Sequence, residues 1–279
     1  MKEIRLIALD LDGTLFDNNS RISEKNIQTI QKAVAKDIHV VISTGRPYGG
    51  LPFEQIADSG IRFAITANGS AIYEISSGKC LYEEAMDEEL IFPILDFLLA
   101  RDIHMDAFIN GKGYSPISCI EAGEKLNVPA ALKHYITKTR TRVENLPLFI
   151  HENHLKVQKM TLNFFPDGKG GFTDREKVRK FLESNPQITC VSGGYNNLEF
   201  TRADVSKGAA LVKLAQLLEI SPEATMAVGD TENDLAILKA AGIGVAMGNA
   251  IPSVKAEADY VTSPNTEDGV ANAIAHFCL

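Results

Sequence analysis

The 279-residue sequence predicts an α/β fold: a parallel sheet built from βαβ units and interrupted by an inserted α+β domain. Two observations carry this expectation. Short apolar runs at residues 6–9, 38–42 and 63–65 each end in small polar residues and glycine, as strands do when their following loops gather along one sheet edge. That texture is missing between Cys80 and Cys190, then returns near Val205.

In the first run, Leu6, Ile7, Ala8 and Leu9 are continuously apolar, which fits a strand covered on both faces. It stops on Asp10 and Asp12, followed by Gly13 and Thr14, residues suited to a tight turn. A calcium loop of the EF-hand kind needs glycine at its sixth position and glutamate at its twelfth, and counting from Asp10 these are Leu15 and Arg21. A carboxylate pair at the carboxyl end of a parallel strand remains, where open α/β sheets bind ligands. Ser23 then caps a helix carrying Asn26, Ile27, Ile30 and Val34 at helical spacing. The second strand ends in Ser43-Thr44-Gly45-Arg46-Pro47, and the third in Thr66-Ala67-Asn68-Gly69-Ser70.

From about Met86 the pattern changes. A helix is expected over 88–100, with Pro93 in its first turn or at a kink, followed by strand-like pieces at 103–109, 157–165 and 188–191 and a helix over 173–183. Val205-Ser206-Lys207-Gly208 opens a helix running through Leu218, and Ser221-Pro222 caps a short segment. A strand over 225–228 ends in Gly229-Asp230-Thr231-Glu232-Asn233-Asp234, and another over 243–246 leads into Met247-Gly248-Asn249-Ala250. Tyr260-Val261-Thr262 and a helix from Gly269 close the chain. The expected core is therefore 1–84 with 193–279, and the insert 85–192. The pairs Gly49-Gly50, Gly170-Gly171 and Gly193-Gly194 suit turns or hinges, the last near the second boundary. His151 and His154 fit a polar surface loop, because no third ligand accompanies them.

A net charge of −8 argues against nucleic acid or an acidic membrane surface as partner, since both need a basic face. An anionic ligand must then be held by local positive groups or a metal. Cys80, Cys119, Cys190 and Cys278 form no C-x-x-C pair, as expected of reduced thiols in the cytoplasm. No long apolar run suggests a membrane span: residues 236–254 include Lys239 and three glycines. A soluble, cytoplasmic monomer or homodimer is expected.

Taken singly, Lys207 would be a solvated lysine, Thr44 a strand-end hydroxyl and Asp230 to Asp234 an acidic helix start. Their joint order changes this. D-x-D-G-T, then S-T-G-R, S-K-G and G-D-x-x-N-D, each at an element boundary, resembles the four motifs of the haloacid dehalogenase superfamily of phosphate-transferring enzymes. STGRP, NGS, VSKGAAL, GDTENDLAIL and GVAMGNAIPSVK resemble its Cof-type branch. The resemblance implies a Rossmann-like doubly wound parallel sheet under an inserted α+β cap that closes over the site.

Phosphoryl transfer from a monoester needs a nucleophile, an acid for the leaving oxygen and positive charge over the phosphate. Asp10 is the expected nucleophile, forming an aspartyl-phosphate, and Asp12 the acid/base. Asp10, Asp12, Asp230 and Asp234 would repel a phosphate, each like-charge pair at about 4 Å costing on the order of 4 kcal/mol at an effective dielectric of 20. A divalent cation relieves this, and an all-oxygen site suits Mg²⁺, held by Asp10, the Asp12 backbone carbonyl and Asp230, with Asp234 as a further ligand or its support. Lys207 adds a point charge, while the Thr44 hydroxyl and loop N–H groups such as that of Gly45 can donate to phosphate oxygens. The resemblance further implies that Asn233 touches phosphate or metal-bound water, and that Arg46, Asn68, Gly69 and Asn249 face the substrate. The expected activity is hydrolysis of a small phosphorylated metabolite, a sugar phosphate foremost. Phosphoryl transfer between sugar hydroxyls and a non-catalytic phosphate-accepting receiver module are the alternatives.

Overall fold

The computed structural model describes residues 3–194 and 196–279. It divides into two compact units, one of Met1–Arg46, Leu51–Glu83 and Ser206–Leu279, the other of Pro47–Gly50 and Glu84–Val205.

The chain begins with β1 (Leu6–Leu9), whose four residues are all buried, as their unbroken apolar character requires. Helix α1 (Glu24–Val34) follows, its first turn closed by the Ser23 hydroxyl accepting the Asn26 N–H at 3.1 Å. Its inward stripe is Asn26, Thr29, Ile30 and Ala33. β2 (His39–Ser43), the short α2 (Phe53–Ile56) and β3 (Phe63–Thr66) come next, β2 parallel to both β1 and β3. Ala67 and Asn68, at φ +50° and +59°, then reverse the chain into β4 (Ala71–Glu74), and β5 (Cys80–Glu83) extends the antiparallel edge. This edge pair was not foreseen, because β5 is half exposed and lacks an apolar run.

The inserted unit opens with α3 (Glu88–Leu99), capped by Asp87; Pro93 lies at its sixth residue, past the expected first turn. Then come β6 (His104–Ile109), β7 (Lys112–Pro116), α4 (Ile117–Ala122), α5 (Ala130–Lys138), β8 (Thr141–Val143), α6 (Leu146–Glu152), β9 (Lys159–Asn163), α7 (Arg175–Glu183), β10 (Ile188–Val191) and β11 (Leu198–Arg202). The strands form one sheet in the order β10-β11-β9-β6-β7-β8. Alternate residues of its central strands, among them Met105, Ala107, Met160, Leu162 and Phe200, join apolar side chains of α3, α6 and α7 in one core. The unit ends at Val205 rather than at residue 192, because β11 hydrogen-bonds to β9 and β10 and so belongs to this sheet. Gly193 and Gly194 therefore lie in the β10–β11 connection, where the Gly193 N–H donates to Asn197 Oδ1 at 2.8 Å, and not at a boundary hinge. Pro47–Gly50 also belongs here, with the Gly49 N–H donating to the Gly111 carbonyl at 2.8 Å. His151 is exposed and pairs with Glu88 at 2.9 Å.

The chain returns to the first unit with α8 (Lys207–Leu217), β12 (Thr225–Gly229), α9 (Leu235–Ala240), β13 (Ile243–Ala246), α10 (Pro252–Glu257), β14 (Tyr260–Val261) and α11 (Gly269–Cys278). The full sheet order is β14-β13-β12-β1-β2-β3-β4-β5, and the six strands from β14 to β3 are parallel. Strand order reverses between β1 and β12, the switch point at which doubly wound sheets open a crevice beyond the strand ends. Asp10 follows β1 there and Asp230 follows β12. No helix among the described residues is long and apolar enough to cross a membrane.

Candidate active site

Beyond β1 the chain makes one wide turn, in which Leu15 N–H donates to the Asp10 carbonyl at 3.2 Å and Phe16 N–H to that of Leu11 at 2.8 Å. Gly13 supplies the φ of +86° that this turn needs. A Cβ at Gly13 would lie 2.4 Å from Asp230 Oδ2, so the missing side chain also makes room for that carboxylate. Buried Thr14 donates its hydroxyl to Asp230 Oδ1 at 3.1 Å. Sequence reasoning gave Thr14 only a turn role; the hydroxyl was visible in the motif, but its partner is 216 residues away.

Lys207 is the first residue of α8, which Ser206 caps by accepting the Ala209 N–H at 3.1 Å. Two glycines let its backbone approach closely. A Cβ on Gly69 would meet the Ser206 carbonyl at 2.1 Å, and one on Gly208 the Ala236 carbonyl at 2.2 Å. The Lys207 side chain is fully buried, its Nζ 2.6 Å from Asp10 Oδ1 and 2.7 Å from Asp234 Oδ1. The other oxygen of Asp234 accepts the N–H groups of Asp230 at 2.9 Å and Thr231 at 3.1 Å. Asp234 thus braces Lys207 and the loop carrying Asp230.

Thr44, at the end of β2 beside half-buried Gly45, accepts the Arg46 N–H on its hydroxyl at 3.1 Å, which leaves the hydroxyl proton to donate elsewhere. The Arg46 guanidinium grips Asp12 with both arms, Nε to Oδ2 at 2.8 Å and Nη2 to Oδ1 at 2.6 Å. Asn68 accepts from the Asn233 amide at 3.2 Å, and Asn233 accepts from the Thr231 hydroxyl at 2.9 Å. Gly69 and Asn249, also expected to face the substrate, have partners of their own within the chain. Gly69 packs against the Ser206 backbone, and the Asn249 amide spans the Gly13 carbonyl at 2.8 Å and the Asn265 N–H at 2.9 Å, bracing the Asp10 turn. Asn265, which the sequence did not single out, ties down the same turn through the Phe16 carbonyl at 2.8 Å.

The cluster is overloaded with negative charge. Burial pushes the Asp10 carboxyl well up; Lys207 opposes this, while Asp234 and Asp230 add to it. Asp230 is pushed up to about 7, by burial first and Asp234 second. Burial works against the Lys207 ammonium, but Asp10 and Asp234 outweigh it and hold the proton firmly. Asp10, Asp230 and Asp234 can each offer a carboxylate oxygen, all within 4.8 Å of one another. An all-oxygen donor set with one lysine for three carboxylates fits a hard divalent cation.

Comparison with known proteins agrees with this geometry. The family model for haloacid dehalogenase-like hydrolases matches residues 7–274. The 5-amino-6-(5-phospho-D-ribitylamino)uracil phosphatase YcsE of Bacillus subtilis is 32% identical, over 99% of this chain and 97% of its own. A haloacid dehalogenase-like hydrolase from B. subtilis superposes with a TM-score of 0.85 at 30% identity, over 98% of this chain and 99% of that one. The subclass IIB sugar phosphatase BT4131 superposes with a TM-score of 0.79 at 26% identity, over 98% of both chains. These matches set aside the receiver-module alternative. The chain belongs to the haloacid dehalogenase-like hydrolase family, in its Cof-type branch, and is a phosphatase.

Proposed function

We propose that this phosphatase hydrolyses phosphomonoesters of small polyhydroxylated metabolites, sugar phosphates foremost, through an aspartyl-phosphate on Asp10 and with Mg²⁺ bound. The observation that carries the proposal is the buried Lys207, 2.6 Å from Asp10 and 2.7 Å from Asp234 at the sheet's switch point. It favours the charged form of the nucleophile against the burial and the neighbouring acids that push the Asp10 carboxyl up. Two of the relatives support the substrate class: YcsE by its name takes a phosphoribityl compound, and BT4131 is a sugar phosphatase.

In the first step the Asp10 carboxylate attacks phosphorus while Asp12 gives its proton to the leaving oxygen. Asp12 then takes a proton from the attacking water as the Asp10–phosphorus bond breaks. Lys207, the Thr44 hydroxyl and the Gly45 N–H hold the phosphate oxygens. Asp10, the Asp12 carbonyl and Asp230 would hold Mg²⁺, which when bound supplies positive charge against the phosphate. Phosphate release from a panel of sugar phosphates, polyol phosphates, nucleotides and pyridoxal phosphate tests this. Turnover of a few sugar or polyol members by wild type but not Asp10→Asn, stopped by EDTA and restored by Mg²⁺, is the expected outcome. Turnover confined to nucleotides, or indifferent to metal, contradicts it.

A further inference from the structure

Arg46 touches Asp12 with two parallel N–H···O bonds, and it is itself fixed. Its N–H rests on the Thr44 hydroxyl at 3.1 Å and its guanidinium lies 5.1 Å from the Phe16 ring centroid. The Arg46 side chain is 17% exposed and that of Asp12 56%. Asp12 stands in extended backbone (φ −79°, ψ 109°) just before the φ +86° of Gly13, with much of its carboxyl in water. Unpartnered, an aspartate so placed spreads over its staggered rotamers. A guanidinium fork fixes both the distance and the plane of a carboxylate, which a lysine ammonium cannot do.

We infer that Arg46 is the positioning residue for the proton-transfer group: it aims Asp12 at the leaving oxygen and the incoming water, rather than binding the substrate itself. The inference rests on Asp12 being the acid/base of the proposed reaction. In the first step the proton passes from Asp12 to the leaving oxygen, the P–O ester bond breaks and the Asp10–phosphorus bond forms. In the second, water's oxygen bonds phosphorus, the Asp10–phosphorus bond breaks and the water's proton returns to Asp12. While Asp12 is protonated, the oxygen carrying the proton releases one arm of the fork and the other arm keeps the carboxyl aimed.

Leaving groups separate this role from substrate binding. An alkyl phosphate such as glycerol phosphate needs its leaving oxygen protonated, whereas p-nitrophenyl phosphate releases a stable phenolate. Arg46→Ala should lower kcat/KM about 10²-fold for glycerol phosphate, and by at least about tenfold more than for p-nitrophenyl phosphate. This ratio reports only the steps up to leaving-group departure and not the clearing of the intermediate that both substrates share. Arg46→Lys, which keeps the charge but not the fork, should stay within about threefold of Arg46→Ala on glycerol phosphate. Asp12→Asn should show the same selectivity, and adding Arg46→Ala to it should cost no more than about threefold further, because the two act as a unit. Arg46→Gln retains the aliphatic stem and substitutes for Arg46→Ala if circular dichroism shows that variant unfolded. If Asp12→Asn lacks the selectivity, the acid assignment fails and the inference with it. If Asp12→Asn shows it, but the Arg46 variants lower kcat/KM for both substrates by the same factor, Arg46 binds substrate and the inference alone is overturned.

Discussion

The two units bury charge in opposite ways. In the inserted unit each buried acid has its own base: Asp106 meets Arg140 at 2.9 Å and Glu199 meets Lys159 at 2.8 Å, both cations lying over the Phe108 ring. At the carboxyl edge of the large sheet, Asp10 and Asp234 share Lys207, while Asp230 beside them takes its hydrogen bond from the Thr14 hydroxyl. A matched pair is self-contained and serves packing; an unmatched set has negative charge left over that a cation can neutralise. Burial and charge crowding push Asp230 up to about 7, the chemical mark of that excess.

Breaking the comparison at its strongest point gives the largest effect. Asp10→Asn should cut turnover by at least about 10⁴-fold, the scale for a lost nucleophile, while thermal unfolding stays at or above the wild-type midpoint because one crowded charge is gone. Next come the pairs themselves. Arg140→Met should destabilise by about 3–5 kcal/mol in urea unfolding by stranding Asp106, and the double change Arg140→Met with Asp106→Leu should recover most of that loss. Lys207→Met should cost a similar amount by stranding Asp10 and Asp234, and no apolar partner change can restore turnover with it.

Mg²⁺ at 100 times its dissociation constant should raise unfolding free energy by about 2.7 kcal/mol, an increment that Asp230→Asn should largely abolish and Arg140→Met should leave in place. A further effect is in pH, with opposite signs in the two units. In Mg²⁺-free protein the folded-state pKa of Asp230, about 7, lies above its ordinary 3.8. Its contribution to stability is therefore complete below about 3.8 and is lost as pH rises through about 7. Burial lowers His104 below its ordinary 6.5, with Asp106 opposing, so its contribution is lost as pH falls below 6.5. Urea unfolding across pH, with Asp230→Asn and His104→Asn each deleting one slope, checks this; slopes of one sign would break the contrast.

How much of this the sequence disclosed follows the same division. The core strands are continuous apolar runs ending in motif loops, and it was the joint order of those motifs, with the resemblance it carries, that singled out Asp10, Thr44, Lys207 and Asp230. The roles of their neighbours could not be read in this way. Thr14 and Asn249 act on partners 216 and 236 residues away, and Gly69 matters for what its Cα lies against. In the inserted unit β6 and β9 mix His104, Asp106, Lys159 and Thr161 with apolar residues, yet all of these are buried. Burial there is bought by cross-strand and ion-pair partners that a linear reading does not pair, so both the insert's second boundary and the place of β11 were hidden.

The central claim, that Asp10 carries the phosphoryl group, is tested most directly by trapping it there. Asp12→Asn enzyme, slow to clear the intermediate, is mixed with p-nitrophenyl phosphate and Mg²⁺, quenched in acid, reduced with borohydride and mapped by mass spectrometry. Conversion of Asp10 to homoserine, lost when substrate is omitted, is the predicted result. Steady turnover with residue 10 unmodified, or modification at another carboxylate, would contradict the account.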